Sequence, residues 1–309
     1  MKLKISIFII TLLLAATNCY SSEQADEDIN QPIKSKLQQK NKPASLRDKA
    51  SQGNPDAQYE LGVAYTFGHR VLKDPQQAVI WFKKAAEQGH SNAQHNLGVF
   101  YANGTGVLKD LQQSVIWYTK AAEQGNRSSQ HNLAVFYANV LKDPQKAAVW
   151  FKKSAEKGFS DAQFNLALFY ENGTGVLKDL EKSAEWYMKA AEQGHRHAQN
   201  NLASAYLKGD GVLKNPAKAA VWFKKSAKQG LSKAQYNLGS LYLKGDGVKK
   251  DLQKSATWYK KAAEQGHSYA QYNLGLFYAN GTGVLKDLEK SAEWYKKASE
   301  QGINSLETN

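Results

Sequence analysis

Cysteine is almost absent from this sequence, since Cys19 is the only one among 309 residues. The residues after it therefore form no internal disulfide with one another, and they offer no thiolate for a metal site or for covalent catalysis. Acidic residues are also in deficit, because 28 Asp and Glu face 41 Lys and Arg, which gives a net charge of +13. Such a balance suits an acidic partner or an anionic surface. Because the lysines recur with the repeat described below, we interpret them first as a solvated basic face.

Apolar runs long enough to cross a membrane are missing as well. The run Ile5–Ala16 is shorter than the roughly 20 residues that a span takes. It follows the basic residues 1–4, and together they are typical of a secretory signal, which we predict over residues 1–19 with cleavage after position 17, 19 or 21. The protein is therefore expected to be exported to the periplasm, the cell surface or the medium. An exported protein is not expected to bind DNA or RNA.

Cys19 leaves a second interpretation of the leader open. The stretch Leu14–Cys19 loosely resembles bacterial lipoprotein signals, in which the cysteine is lipidated, although Asn18 departs from the small residue expected there. A lipid anchor at Cys19 is thus the alternative to ordinary cleavage, and it is the one membrane contact that the leader suggests. Residues 20–42 are polar and too poor in apolar side chains to offset the entropy of ordering, so we predict a flexible linker.

From residue 43 to residue 302 the chain is a repeat. Its tryptophans recur every 36 residues, apart from one interval of 33 residues between Trp117 and Trp150. Self-similarity at this period is typical of a solenoid, in which each repeat contacts only its neighbours. The short interval reflects a loop near Asn139 that lacks the Gly-Thr-Gly of other repeats, and we predict a local change of curvature there.

Each repeat is predicted to form two helices. In the second repeat, apolar and small residues recur four positions apart over residues 93–101, which indicates a helix that stops at Gly104. Asp110 then provides a good N-cap for another helix, which ends before Gly125. Residues 45–53 match only the end of the unit. We therefore predict an all-α fold, a right-handed α/α solenoid of about seven helix–turn–helix repeats preceded by a half-repeat helix, with a short tail over residues 303–309.

Two recurring features predict how the repeats pack. We expect the tryptophans to form a core wedge between neighbouring repeats. One position in each first helix holds only Gly or Ala, and since Gly destabilises a helix by up to about 1 kcal/mol relative to Ala, this indicates a close helix crossing. These positions are 62, 98, 134, 167, 203, 239 and 275.

The repeated pattern resembles a known family. It runs Ala-Gln-x-x-Leu-Gly-x-x-Tyr, then Gly-x-Gly-Val, then Asp, then Ala-x-x-Trp-x-x-Lys-Ala-Ala-x-x-Gly, and it is similar to the Sel-one-like repeat, a relative of the tetratricopeptide repeat. The resemblance covers residues 43–302 in seven full copies. It implies an α/α solenoid that binds proteins as an adaptor and, in bacteria, serves envelope processes or host interaction. One branch of the family is linked to β-lactams, but its repeats carry paired cysteines that this chain lacks.

The resemblance also implies which residues face a ligand. In the related repeat the first helices line a concave face, and residues just before the repeated leucine point into it. We predict a protein-binding surface of Tyr59, His95, His131, Phe164, Asn200, Tyr236 and Tyr272, joined by Asp161, His197 and Tyr269 from a second row. These rows mix aromatic rings with hydrogen-bonding groups, as binding surfaces do. The alternative is that several of these residues only support neighbouring helices.

No arrangement of residues points to catalysis. Ser154 and Lys157 match the Ser-x-x-Lys motif of β-lactam enzymes, but the stretch is the local version of a repeated segment. His95 and His131 occupy equivalent positions without a carboxylate or cysteine at matching spacing, so we predict no metal and no cofactor. We also interpret the histidines at positions 90, 195 and 267 as plain loop residues.

We therefore predict a non-enzymatic, exported scaffold that holds a protein or peptide in its groove. A binder or modulator of cell-wall glycan, or of a cell-wall enzyme, is the alternative, with tyrosines stacking on sugars and lysines against an acidic wall polymer.

Overall fold

The computed structural model of the chain describes residues 45–303. They fall in the unit that begins at Ser45, one of the two units into which contacts divide the chain. The predicted signal peptide and the predicted linker lie outside the described residues, as does the tail after Ile303. Within the described part, no helix is both long and apolar enough to traverse a bilayer.

Fifteen α-helices and no strands make up the described residues. One helix precedes seven hairpins, each with a first helix and a second helix joined by a loop. The helices are α1 (Leu46–Ser51), α2 (Pro55–Phe67), α3 (Pro75–Glu87), α4 (Ser91–Asn103), α5 (Leu111–Glu123), α6 (Arg127–Asn139), α7 (Pro144–Glu156), α8 (Ser160–Asn172), α9 (Leu180–Glu192), α10 (Arg196–Lys208), α11 (Pro216–Lys228), α12 (Ser232–Lys244), α13 (Leu252–Glu264), α14 (Ser268–Asn280) and α15 (Leu288–Ser299). This confirms the predicted all-α solenoid of seven repeats after a half-repeat helix, whereas its right-handed sense stays a prediction.

Each helix packs against the helix before it and the helix after it, with more extensive contact inside a hairpin than between hairpins. Apolar spacing explains the core. One leucine in every first helix is at most 3% exposed, and these are Leu61, Leu97, Leu133, Leu166, Leu202, Leu238 and Leu274. Because every repeat depends on the next to cover its apolar face, the core is continuous along the array.

Side chains cap most of the helices. The predicted N-caps of the second helices are confirmed, since each accepts a hydrogen bond from an amide of the first turn: Asp74, Asp110, Asp143, Asp179, Asn215, Asp251 and Asp287. His90, His195 and His267 lie in the loops, as interpreted from the sequence, and their side chains have a further role there. Each caps a first helix, because its Nδ1 accepts the amide of Ala93, Ala198 or Ala270 at 3.1, 3.1 and 3.3 Å respectively.

The tryptophans are less buried than their pattern predicts. Only Trp117 is buried, at 7% exposed, and the others pack partly exposed against the core. The buried rings belong to the residue that follows each tryptophan in the first six repeats, namely Phe82, Tyr118, Phe151, Tyr187, Phe223 and Tyr259. The central wedge of each repeat is therefore this second aromatic residue.

The lysine three residues after each tryptophan is also placed differently from the prediction. Its ammonium lies over the indole ring at 3.9–4.7 Å from the ring centroid in all seven repeats. A cation over an indole face contributes about 0.5–1 kcal/mol at an exposed site. These lysines therefore pack over the tryptophan rings as well as forming part of the solvated basic face.

An aromatic ring of the second helix explains why one position in each first helix holds only Gly or Ala. A Cβ placed on Gly98 would lie 2.6 Å from Cδ1 of Tyr118, and one on Gly62 would lie 2.6 Å from Cδ1 of Phe82. The second helix therefore crosses closely, as predicted, but its contact at this point is an aromatic side chain and not backbone.

The second glycine of each Gly-x-Gly loop makes a contact between repeats. A side chain on Gly211 would overlap the carbonyl of Leu180 at the start of the preceding second helix, and the glycine itself has φ +71°. Gly106, Gly175, Gly247 and Gly283 make the equivalent contact in their own repeats. Successive loops thus lie side by side along one edge of the solenoid. The third repeat lacks this glycine, and its predicted change of curvature stays a prediction.

Gly211→Ala is expected to destabilise the junction of the fourth and fifth repeats by about 2 kcal/mol, because the new methyl group adds an overlap to backbone strain. Gly230→Ala is the matched control, since Gly230 has φ +84° but no neighbouring atom within 4 Å of its Cβ position. Chemical denaturation of the two variants should show the larger loss for Gly211→Ala. Equal losses would mean that strain alone accounts for the glycine.

A buried glutamine ladder, which sequence analysis missed, ties neighbouring repeats together. In every repeat one glutamine donates from Nε2 to an alanine carbonyl eight residues earlier, at 3.0–3.2 Å. In six repeats its Oε1 accepts from a glutamine 30 residues later, at 2.6–2.9 Å. In the third repeat Lys157 occupies that place, and Oε1 of Gln130 is buried without a partner.

Lys157→Gln should therefore stabilise the protein by about 1 kcal/mol, because it supplies the missing donor to a buried acceptor. Lys157 already has the backbone conformation of the glutamines that end the other second helices. Thermal unfolding compared with Lys157→Ala separates the new hydrogen bond from the mere loss of the lysine. If Lys157→Gln is no more stable than Lys157→Ala, the predicted hydrogen bond to Oε1 of Gln130 does not contribute to stability.

Candidate functional site

The predicted surface residues of the first helices differ in exposure. Three of them are buried, since His131, Phe164 and Asn200 are 6%, 4% and 2% exposed. Tyr59, His95, Tyr236 and Tyr272 are half-buried. The three buried residues lie beneath the surface in this structure and offer a partner little area. The half-buried residues of the row are therefore the ones that a partner could contact.

The second row is more accessible. Tyr269 is 49% exposed, and Asp161 and His197 are half-buried. Tyr269 lies 6.4 Å from Tyr236, measured between ring centroids. The predicted residues of the last two repeats therefore form a tyrosine-rich patch.

The capping histidines hold several of these aromatic rings. Tyr236 stacks on His267 with ring centroids 4.6 Å apart and planes within 15°, and Phe164 stacks on His195 at the same distance. Tyr59 does the same with the first capping histidine. The histidine is thereby wedged between a helix terminus and a ring, which fixes the direction of both.

Ionisable groups concentrate where the third, fourth and fifth repeats meet. Oδ1 of Asp161 lies 3.3 Å from Nε2 of His195, and this hydrogen bond lowers the pKa of the Asp161 carboxyl. Burial, reinforced by the charges of His195 and Arg196, lowers the pKa of His197 to about 4. Burial therefore favours a neutral His197 beside the Asp161 carboxylate. Among residues 45–303 no group of three or more potential ligands is arranged to hold a metal ion.

The other predicted histidines make contacts inside the solenoid, although only His131 is buried. Nδ1 of His95 lies 2.8 Å from the hydroxyl of Ser129 in the next repeat. His131 packs edge-on against Phe151 and Phe159, and its Nδ1 is buried without a hydrogen-bond partner. Both residues therefore join repeats, as the alternative interpretation proposes for part of the row.

A polar pocket of about 320 Å³ opens between the fourth and fifth repeats. Helices α8, α9 and α10 provide most of its wall, and Lys233 from α12 reaches its rim. The polar pocket is defined here by Leu168, Glu171, Tyr187, Asn201, Ser204, Lys208, Asp210 and Lys233. Three consecutive first helices thus converge on one cavity.

The floor of the polar pocket is a hydrogen-bonded triad. The hydroxyl of Tyr187 donates to Oε2 of Glu171 at 2.6 Å and accepts from Nδ2 of Asn201 at 3.0 Å. Burial and the neighbouring carboxylate raise the pKa of Tyr187, so its proton stays on the oxygen. Within the described residues the second oxygen of Glu171 has no protein partner, which leaves it free to accept a hydrogen bond from a ligand.

The repeat pattern identifies the family directly. The Sel1 repeat matches seven consecutive segments, residues 55–90, 91–126, 127–159, 160–195, 196–231, 232–267 and 268–303. The chain belongs to the Sel1 repeat family. The comparison with curated proteins gave no match.

Solved structures agree with the Sel1 assignment. The chain is 42% identical to a protective antigen present in uropathogenic Escherichia coli strains that displays an SLR fold, over 83% of this chain and 56% of that one, with a TM-score of 0.80. A Sel1 repeat protein from Oxalobacter formigenes is 38% identical over 84% of this chain and 76% of that one, with a TM-score of 0.68. The chain therefore spans little more than half the length of the antigen.

Seven aligned Sel1 repeats also show how the polar pocket could have been found from sequence. Glu171 is the only acidic residue at its repeat position, where the other copies have Thr66, Ala102, Ala138, Leu207, Leu243 and Ala279. A charge that interrupts a repeat of small or apolar residues is a signal that does not need the structure. The convergence of Glu171 with Tyr187 and Asn201 does need it.

The Ser-x-x-Lys match has a structural explanation in the Sel1 repeat. Ser154 is 0% exposed, and its hydroxyl donates to the carbonyl of Arg127 at 2.7 Å. Ser226 makes the equivalent bond to Arg196 at 2.8 Å. The serine is therefore a packing element between the two helices of one repeat, and a substrate has no access to it.

Proposed function

We propose that this Sel1 solenoid is an exported, non-enzymatic scaffold that binds a polypeptide on the face of its first helices, with the polar pocket as the anchor point. The observation that carries this is the free oxygen of Glu171, which is aimed into a cavity formed by three consecutive repeats. Sel1 solenoids commonly act as protein-interaction scaffolds, which is the wider function that this chain shares with its family.

The chemistry of the polar pocket favours a polypeptide as its ligand. Glu171 and Asp210 accept hydrogen bonds, whereas Lys208 and Lys233 donate them, and none of the four is in an ion pair within the described residues. A peptide backbone presents donors and acceptors in alternation, so it matches a lining of both kinds. The exposed ring of Tyr269, further along the same face, provides an aromatic contact of the kind that dominates binding energy.

Export is part of the proposal and rests on the leader. The basic start, the apolar run Ile5–Ala16 and the small residues after it support secretion, with lipidation of Cys19 as the alternative fate of the leader. Mass spectrometry of the mature amino terminus separates the two, because only a lipidated cysteine adds the mass of acyl chains.

The polar pocket also supports a binding function over a catalytic one. Its most buried hydroxyl, that of Tyr187, has a raised pKa and donates to Glu171, so it is a poor nucleophile. The hydroxyl of Ser204 donates to the carbonyl of Asn200 at 3.1 Å and has no base beside it. The arrangement orients hydrogen bonds and does not activate an attacking group.

The test is site-specific photocrosslinking in the native organism. A crosslinking side chain at Ser204, inside the polar pocket, should capture a discrete protein adduct. The same side chain at Val221, which is 54% exposed on a second helix, is the matched control and should not capture it. Glu171→Gln should reduce the Ser204 adduct while leaving the thermal stability close to that of the wild type.

Other outcomes of these experiments would contradict the proposal. Adducts of equal yield at both positions would show that the polar pocket is no anchor. A carbohydrate adduct at Ser204, or retention on purified wall polymer that Tyr269→Ala abolishes, would support the glycan-binding alternative in its place.

A further inference from the structure

The loops of five hairpins display a leucine that has almost no contact with the protein. These five leucines are 88–91% exposed, namely Leu72, Leu108, Leu177, Leu213 and Leu285. The valine just before each of them is half-buried, as at Val107 and Val212, which pack against the core. Because alternate residues of an extended segment point to opposite sides, the buried valine directs the leucine outward. Single exposed leucines are ordinary, but five at the equivalent position of seven repeats need an explanation.

The loops that carry these leucines are neighbours in space. Gly211 of the fifth loop contacts Leu180, which lies three residues after Leu177 of the fourth loop. Gly106 contacts Pro75 in the same way, three residues after Leu72. We call the row of loops the loop edge, defined by the five exposed leucines and by the lysine that follows each position.

The loop edge is positively charged. An exposed lysine follows the leucine position in six loops, at Lys73, Lys109, Lys178, Lys214, Lys250 and Lys286. None of these lysines is in an ion pair within residues 45–303. In contrast, four of the capping aspartates beside them are paired with a lysine three residues later, at 2.7–3.2 Å. Four acidic side chains near the loop edge are in no ion pair within residues 45–303, namely the capping Asp74 and Asp110 and the loop residues Asp210 and Asp246. The sixth loop replaces its leucine with Lys249.

We propose that the loop edge docks on an anionic lipid surface. The protruding leucines would enter the boundary between headgroups and acyl chains, and the unpaired lysines would contact the anionic headgroups. Apolar groups inserted at the interface and basic groups above it are the two contributions that hold peripheral proteins on membranes. This docking is separate from peptide binding on the first-helix face, and neither requires the other.

A lipid surface fits the loop edge better than other acidic partners. A side chain that is 91% exposed at a loop tip projects beyond its surroundings, and a fluid bilayer accommodates projecting groups without matched cavities. A folded protein would need a pocket for each leucine at the spacing of the repeats. A soluble polyanion would use the lysines but leave the leucines in water.

The experiment measures binding of the full chain to vesicles of phosphatidylcholine mixed equally with phosphatidylglycerol, and to vesicles of phosphatidylcholine alone. Serine in place of Leu108, Leu177, Leu213 and Leu285 together should weaken binding to the mixed vesicles at least about tenfold. Glutamine in place of the lysines that follow these four should weaken it at least about tenfold and abolish the preference for the mixed vesicles. All variants share residues 1–44, so any contribution of the leader cancels in the comparison.

The control removes four exposed apolar groups from another surface. Serine in place of Ile80, Ile116, Val149 and Val221, which are 44–54% exposed on second helices, should leave vesicle binding unchanged. Hydrogen exchange should show protection of the loops on vesicle addition, for instance over residues 208–215, and circular dichroism should confirm that the variants are folded.

Several results would overturn the proposal. The proposal fails if the wild-type chain does not bind the mixed vesicles, or if the serine variant binds them as well as the wild type does. It also fails if the control variant loses as much vesicle binding as the leucine variant, or if vesicles protect amides outside the loops from exchange. Polyglutamate that binds wild type and leucine variant equally, with no vesicle binding by either, would assign the edge to soluble polyanions instead.

Discussion

Replacing Phe223 with alanine is expected to lower the free energy of unfolding by about 3–5 kcal/mol, and by about 1–2 kcal/mol more than replacing the adjacent Trp222. Phe223 is 1% exposed and lies within the largest core cluster, whereas Trp222 is half-buried and packs against that cluster from outside. The cavity left by the phenylalanine is enclosed on all sides, so the surrounding side chains cannot fill it fully.

The loss should also be local, because the repeats of a solenoid contact only their neighbours. Hydrogen exchange should therefore accelerate first in residues 196–231 and in the repeats on either side, and least in the first repeat. Two results would contradict this account of the core: exchange that rises evenly along the array, or a Trp222→Ala variant that loses more stability than Phe223→Ala.

Acidification should destabilise the middle of the solenoid through His131. Burial lowers its pKa from 6.5 to about 4, an effect that His195 adds to and Asp161 partly opposes. Since the imidazole is neutral in the folded protein and titrates at a higher pH when unfolded, its contribution is fully present above pH 6.5 and is lost as the pH falls towards 4. Between neutral pH and pH 5 the loss should be about 2 kcal/mol.

His131→Phe tests this with a residue that the chain already uses, because the equivalent position of the next repeat is Phe164. Urea denaturation at neutral pH and at pH 5 should show a smaller loss for the variant than for the wild type, by about 2 kcal/mol. Replacement of His69, which is exposed in a loop, by phenylalanine controls for removal of a histidine as such. An unchanged difference between the two pH values in His131→Phe would show that other groups control the acid response.

The candidate site shows that the repeat pattern does not predict how exposed a side chain is. Asp161, His197 and Tyr269 were placed on the accessible face by their repeat positions, and the structure leaves all three at least partly exposed. His131, Phe164 and Asn200 hold positions equivalent to Tyr59 and Tyr236 but are buried, whereas those two tyrosines are half-buried. A repeat position gives the direction of a side chain, and only its neighbours decide its exposure.

The glutamine ladder and the polar pocket escaped prediction for a related reason. Gln130 looks the same in sequence as its six counterparts, yet its Oε1 alone lacks a hydrogen-bond donor, since the residue that would supply one belongs to a different helix and is Lys157. Similarly, Glu171 becomes part of a site only when Tyr187 and Asn201 from two other helices meet it. The triad contacts and the contacts between ladder glutamines join residues 14–30 positions apart, beyond the reach of local patterns.

By itself the sequence determined the periodic part of this protein: the paired helices, their caps and stops, the number of repeats and the Sel1 family. Those features follow from spacing, which a helix converts directly into a face and an end. Only the tertiary structure decided which of two adjacent aromatic residues is buried, which polar groups converge on a cavity, and which leucines stand clear of the protein. These features depend on how one repeat lies against the next. The spacing of residues along a helix does not determine the distance from that helix to its neighbour.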